Sequence, residues 1–237
     1  MKNGFMKNNI ELSVIVPCYN ERENIPLIAS HFSKIMSKRE DIEVILVNNG
    51  SNDGSSEEFA KLQGFKIVEV PVNKGYGFGI LSGLNEANGR LLCWTHADMQ
   101  TNPNDILKAL EIYEENTIIK GKRKNRRLME AFFTFGMQLV TFFVLKYYLD
   151  DINAQPKLFS RKFYEEFIKK KAPHDFSLDL FLLLKAKQNN IKIKDFPVFF
   201  NKRMHGEAKG GGSFKTRIKL IKRTLSYIFE MRYENIK

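Results

Sequence analysis

Cysteine is nearly missing from this chain. Only Cys18 and Cys93 occur in 237 residues, both inside apolar strand-like runs, and they read as buried reduced thiols rather than a disulfide or a nucleophile. No apolar stretch precedes Glu11 in the manner of a secretory signal, which points to a cytoplasmic location. Internal repeats and long low-complexity tracts are absent as well. No Gly-Lys-Ser/Thr marks a Walker loop, and the one glycine-rich string, Asn73-Lys74-Gly75-Tyr76-Gly77-Phe78-Gly79, reads as a turn and follows the third strand-like run. A dinucleotide fingerprint would follow the first. Acidic residues are the minority, 27 against 38 Lys and Arg, leaving a formal charge of +11. The partner should therefore be anionic: a nucleotide diphosphate, an anionic membrane surface or nucleic acid. The last is disfavoured, since the charges are scattered and no recognised nucleic-acid motif accompanies them.

What is present is an apolar content of 43%, enough to exclude general disorder, and a repeating alternation. Leu12–Pro17, Ile42–Val47, Phe65–Val70 and Arg90–His96 read as strands. Between them, helices are expected from Ile25 with Ile28, Phe32 and Ile35 at helical spacing, from Ser55, and over Ile80–Asn88. This β-α-β-α-β-α-β order predicts an α/β fold with a largely parallel sheet and helices on both faces. The length suits one catalytic domain, residues 1–210, followed by a basic amphipathic C-terminal helix in 211–237.

Three strand ends carry polar, turn-forming loops that should meet at the carboxyl edge of the sheet, where open α/β sheets put ligands. They are Tyr19-Asn20-Glu21, Asn48–Asp53 and His96–Gln100. In an extended Thr95–Gln100, alternate residues share one side, so His96, Asp98 and Gln100 would project together and could hold a divalent cation beside a diphosphate. Further on, Lys122–Arg127 is a basic cluster containing Arg123 and Arg127. Ala131–Leu149 is a long apolar and aromatic helix whose polar interruptions and charged flanks argue against a membrane span. It either lies at a membrane interface or is buried in the core. Asp175–Lys187 is expected to be a helix with Leu178, Phe181, Leu182 and Ala186 on one side. Phe214–Met231 is a basic amphipathic helix suited to an anionic surface.

Taken in order, Val16-Pro17-Cys18-Tyr19-Asn20-Glu21, Asn49–Ser55, Asn73-Lys74-Gly75 and Ala97-Asp98-Met99-Gln100 resemble the successive signatures of family 2 glycosyltransferases. Downstream, Asp151–Arg161 and Arg203–Lys209 are similar to segments of the dolichol-phosphate mannose synthase branch. The resemblance covers about residues 11–210. It implies a GT-A fold, a nucleotide-sugar donor bound through Pro17, Tyr19, Asn20, Glu21, Asn49, Ser51 and Lys74, and a divalent metal, Mn²⁺ or Mg²⁺, held at Asp98 with Gln100 and His96. It also implies a lipid-phosphate acceptor met by Arg123, Arg127, Arg203 and Lys209, and an acidic residue near the acceptor, Asp179. Two positions depart from the family pattern. Asn48-Asn49 replaces paired aspartates, which leaves base preference open, and His96 replaces the first carboxylate of D-x-D. His96 either joins the ligand set, favouring manganese, or faces the sugar. The expected activity is inverting transfer to a polyprenyl phosphate by an enzyme peripheral to the membrane. The alternatives are transfer to a glycan hydroxyl, with Asp179 or Asp175 as general base, and non-catalytic nucleotide-sugar binding.

Overall fold

A computed structural model of the chain describes residues 10–124, 128–201, 203–205 and 214–234. Seven strands are present among the described residues: β1 (Leu12–Cys18), β2 (Ile42–Asn49), β3 (Lys66–Val70), β4 (Leu91–Trp94), β5 (Thr117–Lys124), β6 (Lys157–Ser160) and β7 (Lys192–Phe199). They form one sheet in the order β3-β2-β1-β4-β6-β5-β7. β1 runs parallel to both β2 and β4, with Val14 opposite Val44 on one side and Cys93 on the other. Such a central strand has no wet face, and Leu12, Val14, Ile15 and Val16 are all fully buried. The alternation of side chains divides the core in two. Ile15, Ile45, Val47 and Trp94 face one layer, whereas Val14, Val16, Leu46 and Cys93 face the other.

Helices cover both layers. α1 (Ile25–Met36), α2 (Ser55–Ala60) and α4 (Asp105–Glu111) supply Ile25, Ile28, Phe32, Phe59, Ile106 and Ala109 to the Val14 side. α3 (Tyr76–Asn85) and α7 (Leu178–Gln188) pack on the Ile15 side through Ile80, Leu84 and the apolar run Leu180–Leu184. α6 (Arg161–Phe163) passes directly into a π-helical turn at Tyr164–Ile168. α5 (Leu128–Leu145) and α8 (Phe214–Glu234) contact each other and send Leu145, Tyr227, Ile228 and Met231 into the same layer as α7. The expected boundary at 210/211 lies outside the described residues.

Three local expectations are corrected. The glycine-rich string is not a turn, because its Tyr76–Gly79 portion is the first turn of α3. The expected largely parallel sheet is found, with β6 antiparallel to β4 and β5 as its exception. α7 is buried around its whole circumference from Leu178 to Leu184, as an apolar helix enclosed by core must be, so its one-sided stripe does not exist. Finally, β4 ends at Trp94, and Met99 takes a left-handed φ of 57°, so Thr95–Gln100 is bent rather than extended.

Candidate active site

The first loops are stitched together before they meet any ligand. Asn20, at a left-handed φ of 53°, donates its backbone N–H to Ser51 Oγ at 3.0 Å and accepts from the Asn52 N–H at 2.9 Å. The Arg22 N–H reaches Asp53 Oδ2 at 3.1 Å. Asn48 is equally committed, donating to Ser56 Oγ and Glu69 Oε2, each at 2.8 Å. Asn49 differs: its Nδ2 donates to the Gly75 carbonyl at 3.1 Å, while its buried Oδ1 has no hydrogen-bond partner.

A cavity of about 350 Å³ opens above these loops. Of the residues expected to hold a nucleotide, Pro17, Tyr19, Glu21 and Asn49 line it. Asn20, Ser51 and Lys74 do not. The first two bond within the scaffold just described, and the Lys74 ammonium sits 5.1 Å from the Phe78 ring centre. His96 and Asp98 line it as well. The bend after β4 turns Gln100 away, so that its Nε2 donates to the Asn201 carbonyl at 2.9 Å while its backbone N–H holds Asp98 Oδ1 at 3.1 Å. Asp98 Oδ2 lies 3.9 Å from His96 Nδ1 and 3.9 Å from Arg203 Nη1. Burial pushes the His96 imidazole pKa below its usual value against the pull of the Asp98 and Asp179 carboxylates, which favours the neutral ring with its lone pair. Imidazole and carboxylate facing one cavity are a donor set that fits a divalent ion. Among the described residues, no cluster of three His, Cys, Asp or Glu completes a protein-only site, which leaves coordination positions to diphosphate oxygens and water.

Arg203 enters the same cavity from the segment after β7. Its guanidinium pairs with Glu21 and its Nε donates to the His205 carbonyl at 2.7 Å. Arg123 is used otherwise: its backbone and guanidinium N–H groups engage Asp151 at 2.6–2.9 Å, and its Cζ lies 5.4 Å from the Phe200 ring centre. Arg127 and Lys209 lie outside the described residues.

Asp179 is in the layer beneath and does not line the cavity. The residue is 2% exposed, and its Oδ1 accepts from Lys157 Nζ at 2.5 Å, Gln155 Nε2 at 3.1 Å and Trp94 Nε1 at 3.3 Å. Asp175 is tied to Arg223 of α8 at 2.5 Å. Sequence reasoning gave no role to Tyr76, Phe176, Gln155 or Lys157. Tyr76 stood in a string read only as a turn, and Gln155 and Lys157 lie in the Asp151–Arg161 stretch noted for resemblance alone. Tyr76 and Phe176 both line the cavity, stacked with ring centres 4.9 Å apart and planes 8° from parallel. Two glycines allow that stack. A Cβ on Gly75, whose φ is +118°, would stand 2.4 Å from the His174 carbonyl oxygen, and one on Gly77 would stand 2.5 Å from that of Pro173.

The sequence matches the family model described as Glycosyl transferase family 2 over residues 13–177. The chain belongs to this glycosyltransferase family. Among curated members, an undecaprenyl-phosphate 4-deoxy-4-formamido-L-arabinose transferase from Proteus mirabilis is 32% identical over 123 residues, 49% of this chain and 38% of that protein. The match thus spans well under half the length of that relative. A dolichyl-phosphate beta-glucosyltransferase from Trichomonas vaginalis is 26% identical over 235 residues, 90% of this chain and 73% of that one. The GT-A fold is shared with solved glycosyltransferases. Glucosyl-3-phosphoglycerate synthase from Mycobacterium tuberculosis, solved with Mn²⁺, uridine diphosphate and glucosyl-3-phosphoglycerate, superposes at a TM-score of 0.70 with 15% identity, covering 98% of this chain and 85% of that one. A mannosyltransferase from Pyrobaculum calidifontis, solved with GDP-mannose and Mn²⁺, gives 0.63 with 15% identity, covering 94% and 73%.

Proposed function

We propose that this chain is an inverting glycosyltransferase that moves a sugar from a nucleoside-diphosphate donor to a polyprenyl phosphate. The acceptor phosphate oxygen attacks the anomeric carbon from the face opposite the leaving group. A new C–O bond forms as the bond to the diphosphate breaks, and no proton has to be removed from an acceptor already ionised at neutral pH. Pro17, Tyr19, Glu21 and Asn49 form the donor's cradle, and the free Oδ1 of Asn49 suits a base edge that presents an N–H. His96 and Asp98 would hold a divalent ion, which when bound neutralises charge on the leaving diphosphate. With its Nη2 held by Glu21, Arg203 offers its Nη1 N–H groups to phosphate oxygens.

One observation carries the phosphate acceptor: Arg203 enters the cavity while the neighbouring acids suited to act as general base are already engaged. Asp179 is enclosed by Lys157, Gln155 and Trp94, Asp175 is paired with Arg223, and Glu21 accepts from Arg203 and from Asn24 Nδ2. A hydroxyl acceptor would need such a base; an ionised phosphate needs orientation and charge neutralisation. The names of the curated relatives, which transfer to undecaprenyl or dolichyl phosphate, point the same way.

No helix among the described residues is long and apolar enough to cross a membrane. We assign the lipid contact to α5 and α8, which expose Phe142, Phe143 and Phe229 together with the cations Lys222 and Arg223 of α8, a combination suited to an anionic interface. Flotation with anionic vesicles should show binding that weakens with salt, and absence of binding at low ionic strength would remove this assignment.

The direct test is a transfer panel with UDP- and GDP-sugars, Mn²⁺ or Mg²⁺, and either undecaprenyl phosphate or free oligosaccharides. Product should form on the lipid phosphate, and Arg203→Ala should lower that rate by about 100-fold, as expected for loss of a preorganised charged donor. Transfer to oligosaccharide hydroxyls with the lipid phosphate inert would overturn the proposal.

A further inference from the structure

Exposed apolar surface inside a concave cavity marks a ligand contact. Among the described residues, Phe176 is the only large hydrophobic side chain that is both exposed, at 37%, and part of the cavity. Tyr76 covers one face of its ring, 4.9 Å away and 8° from parallel, so what stays exposed is the opposite face and the rim. The segment that carries Phe176 is fixed on both sides. The His174 carbonyl accepts the Phe78 N–H at 2.9 Å. Asp175 accepts the Ser177 N–H at 2.9 Å and is paired with Arg223, and Leu178, where α7 begins, is fully buried. Little ordering is left for a ligand to impose, and a stacking surface prepared in this way keeps more of its contact energy as affinity.

We propose that Phe176, backed by Tyr76, is the platform on which the pyranose ring of the donor stacks. Position is the first ground. The Tyr76 hydroxyl lies 3.3 Å from His96 Nε2, and the two rings meet edge-on at 5.8 Å, so the stack adjoins the His96–Asp98 pair assigned to the metal and the diphosphate. In a nucleotide sugar the sugar is bonded directly to the diphosphate, at the end away from the nucleoside. The nucleoside is served by Pro17, Tyr19 and the free Oδ1 of Asn49. Chemistry is the second ground. Phenylalanine has no hydrogen-bonding atom, and the Tyr76 hydroxyl is already engaged by Gln155 Nε2 at 3.2 Å and by His96. Such a wall offers nothing to a sugar hydroxyl, but its negative π-face suits the weakly positive C–H groups on the face of a pyranose. The inference rests on the reading of His96 and Asp98 as the diphosphate end of the cavity, and not on the identity of the acceptor.

The test is equilibrium binding to the full chain, by calorimetry with Mn²⁺ and no acceptor. The ligands are UDP, GDP and their glucose and mannose conjugates; the proteins are wild type, Phe176→Ala, Phe176→Leu and Phe176→Tyr. Phe176→Ala and Phe176→Leu should bind the sugar conjugate about 10-fold more weakly than wild type, yet hold the matching diphosphate within about twofold. Phe176→Tyr, which keeps the aromatic face, should bind both as wild type does. Equal losses for diphosphate and conjugate would assign the ring to the base and overturn the proposal, as would unchanged binding of both in Phe176→Leu. Failure of UDP and GDP alike to bind wild type would instead remove the diphosphate reading, and the placement of the sugar with it. Phe176→Leu keeps the apolar bulk, so the contrast survives if Phe176→Ala does not fold. With no acceptor present, the result is independent of whether a polyprenyl phosphate receives the sugar.

Discussion

Asp98 and Asp179 are the same residue type within one site, yet their surroundings give them opposite work. Asp98 stands in the cavity wall with one oxygen held by a single backbone N–H and the other facing His96 and Arg203 at 3.9 Å each. Asp179 lies one layer below with Lys157, Gln155 and Trp94 all on one oxygen. An acid with an open face can bind a ligand. One whose partners are all protein groups can only organise those partners, and its charge is tolerated in the core because a buried ammonium accompanies it. The site is thus a reactive upper layer resting on a polar lower layer, and stability and turnover should respond separately to changes in each.

The largest effect should come from the lower layer. Lys157→Met alone leaves a buried carboxylate without its counter-charge and should cost about 3–5 kcal/mol in urea unfolding, whereas Lys157→Met with Asp179→Leu should recover most of it. A loss below about 1 kcal/mol in the single variant would mean that the pair is not structural. Next comes the upper layer: Asp98→Ala should lower sugar transfer by about 10²–10³-fold with little change in the unfolding midpoint, and near-normal turnover in a folded variant would sink its assignment. Between the layers, Gly77→Ala would force its Cβ against the Pro173 and Asp175 carbonyl oxygens, now 2.5 and 2.8 Å from that position. We expect a cost of about 1–3 kcal/mol, typical of overpacking, with weaker donor binding by calorimetry as Phe176 shifts; wild-type values for both would show that this loop has slack.

The smallest effect should be at the outer edge. Burial raises the Asp175 carboxyl, but hydrogen bonds from Arg223 and Ser177 outweigh it and leave the folded pKa below its usual value. A lowered carboxylate pKa stabilises the fold above the unfolded value of about 3.9 and ceases to do so as pH falls through the folded one. Arg223→Ala should therefore melt slightly below wild type, by less than about 1 kcal/mol for so exposed a pair. That gap should persist from pH 7 to about pH 4 and close beneath it. A gap that is unchanged at pH 3 would assign the effect to packing of α8 rather than to charge.

The sequence by itself determined the sheet's first half, because strand, turn and helix signals there are local: β-branched runs, capping residues and glycines whose spacing needs no distant partner to be read. Leu12–Cys18 and Ile25–Met36 were legible on that ground. So was the meeting of the β1, β2 and β4 loops, which follows from parallel topology. The antiparallel β6 was not legible, since a four-residue strand takes its direction from the neighbours it joins. Nor was the fate of Gln100, for the periodicity that put it beside His96 holds only in an extended chain, and the bend after Trp94 ends it. The roles of the two aspartates were decided by the tertiary structure alone. Asp179 is separated from Trp94 by 85 positions and from Gln155 by 24, and only packing at that range surrounds a carboxylate with donors.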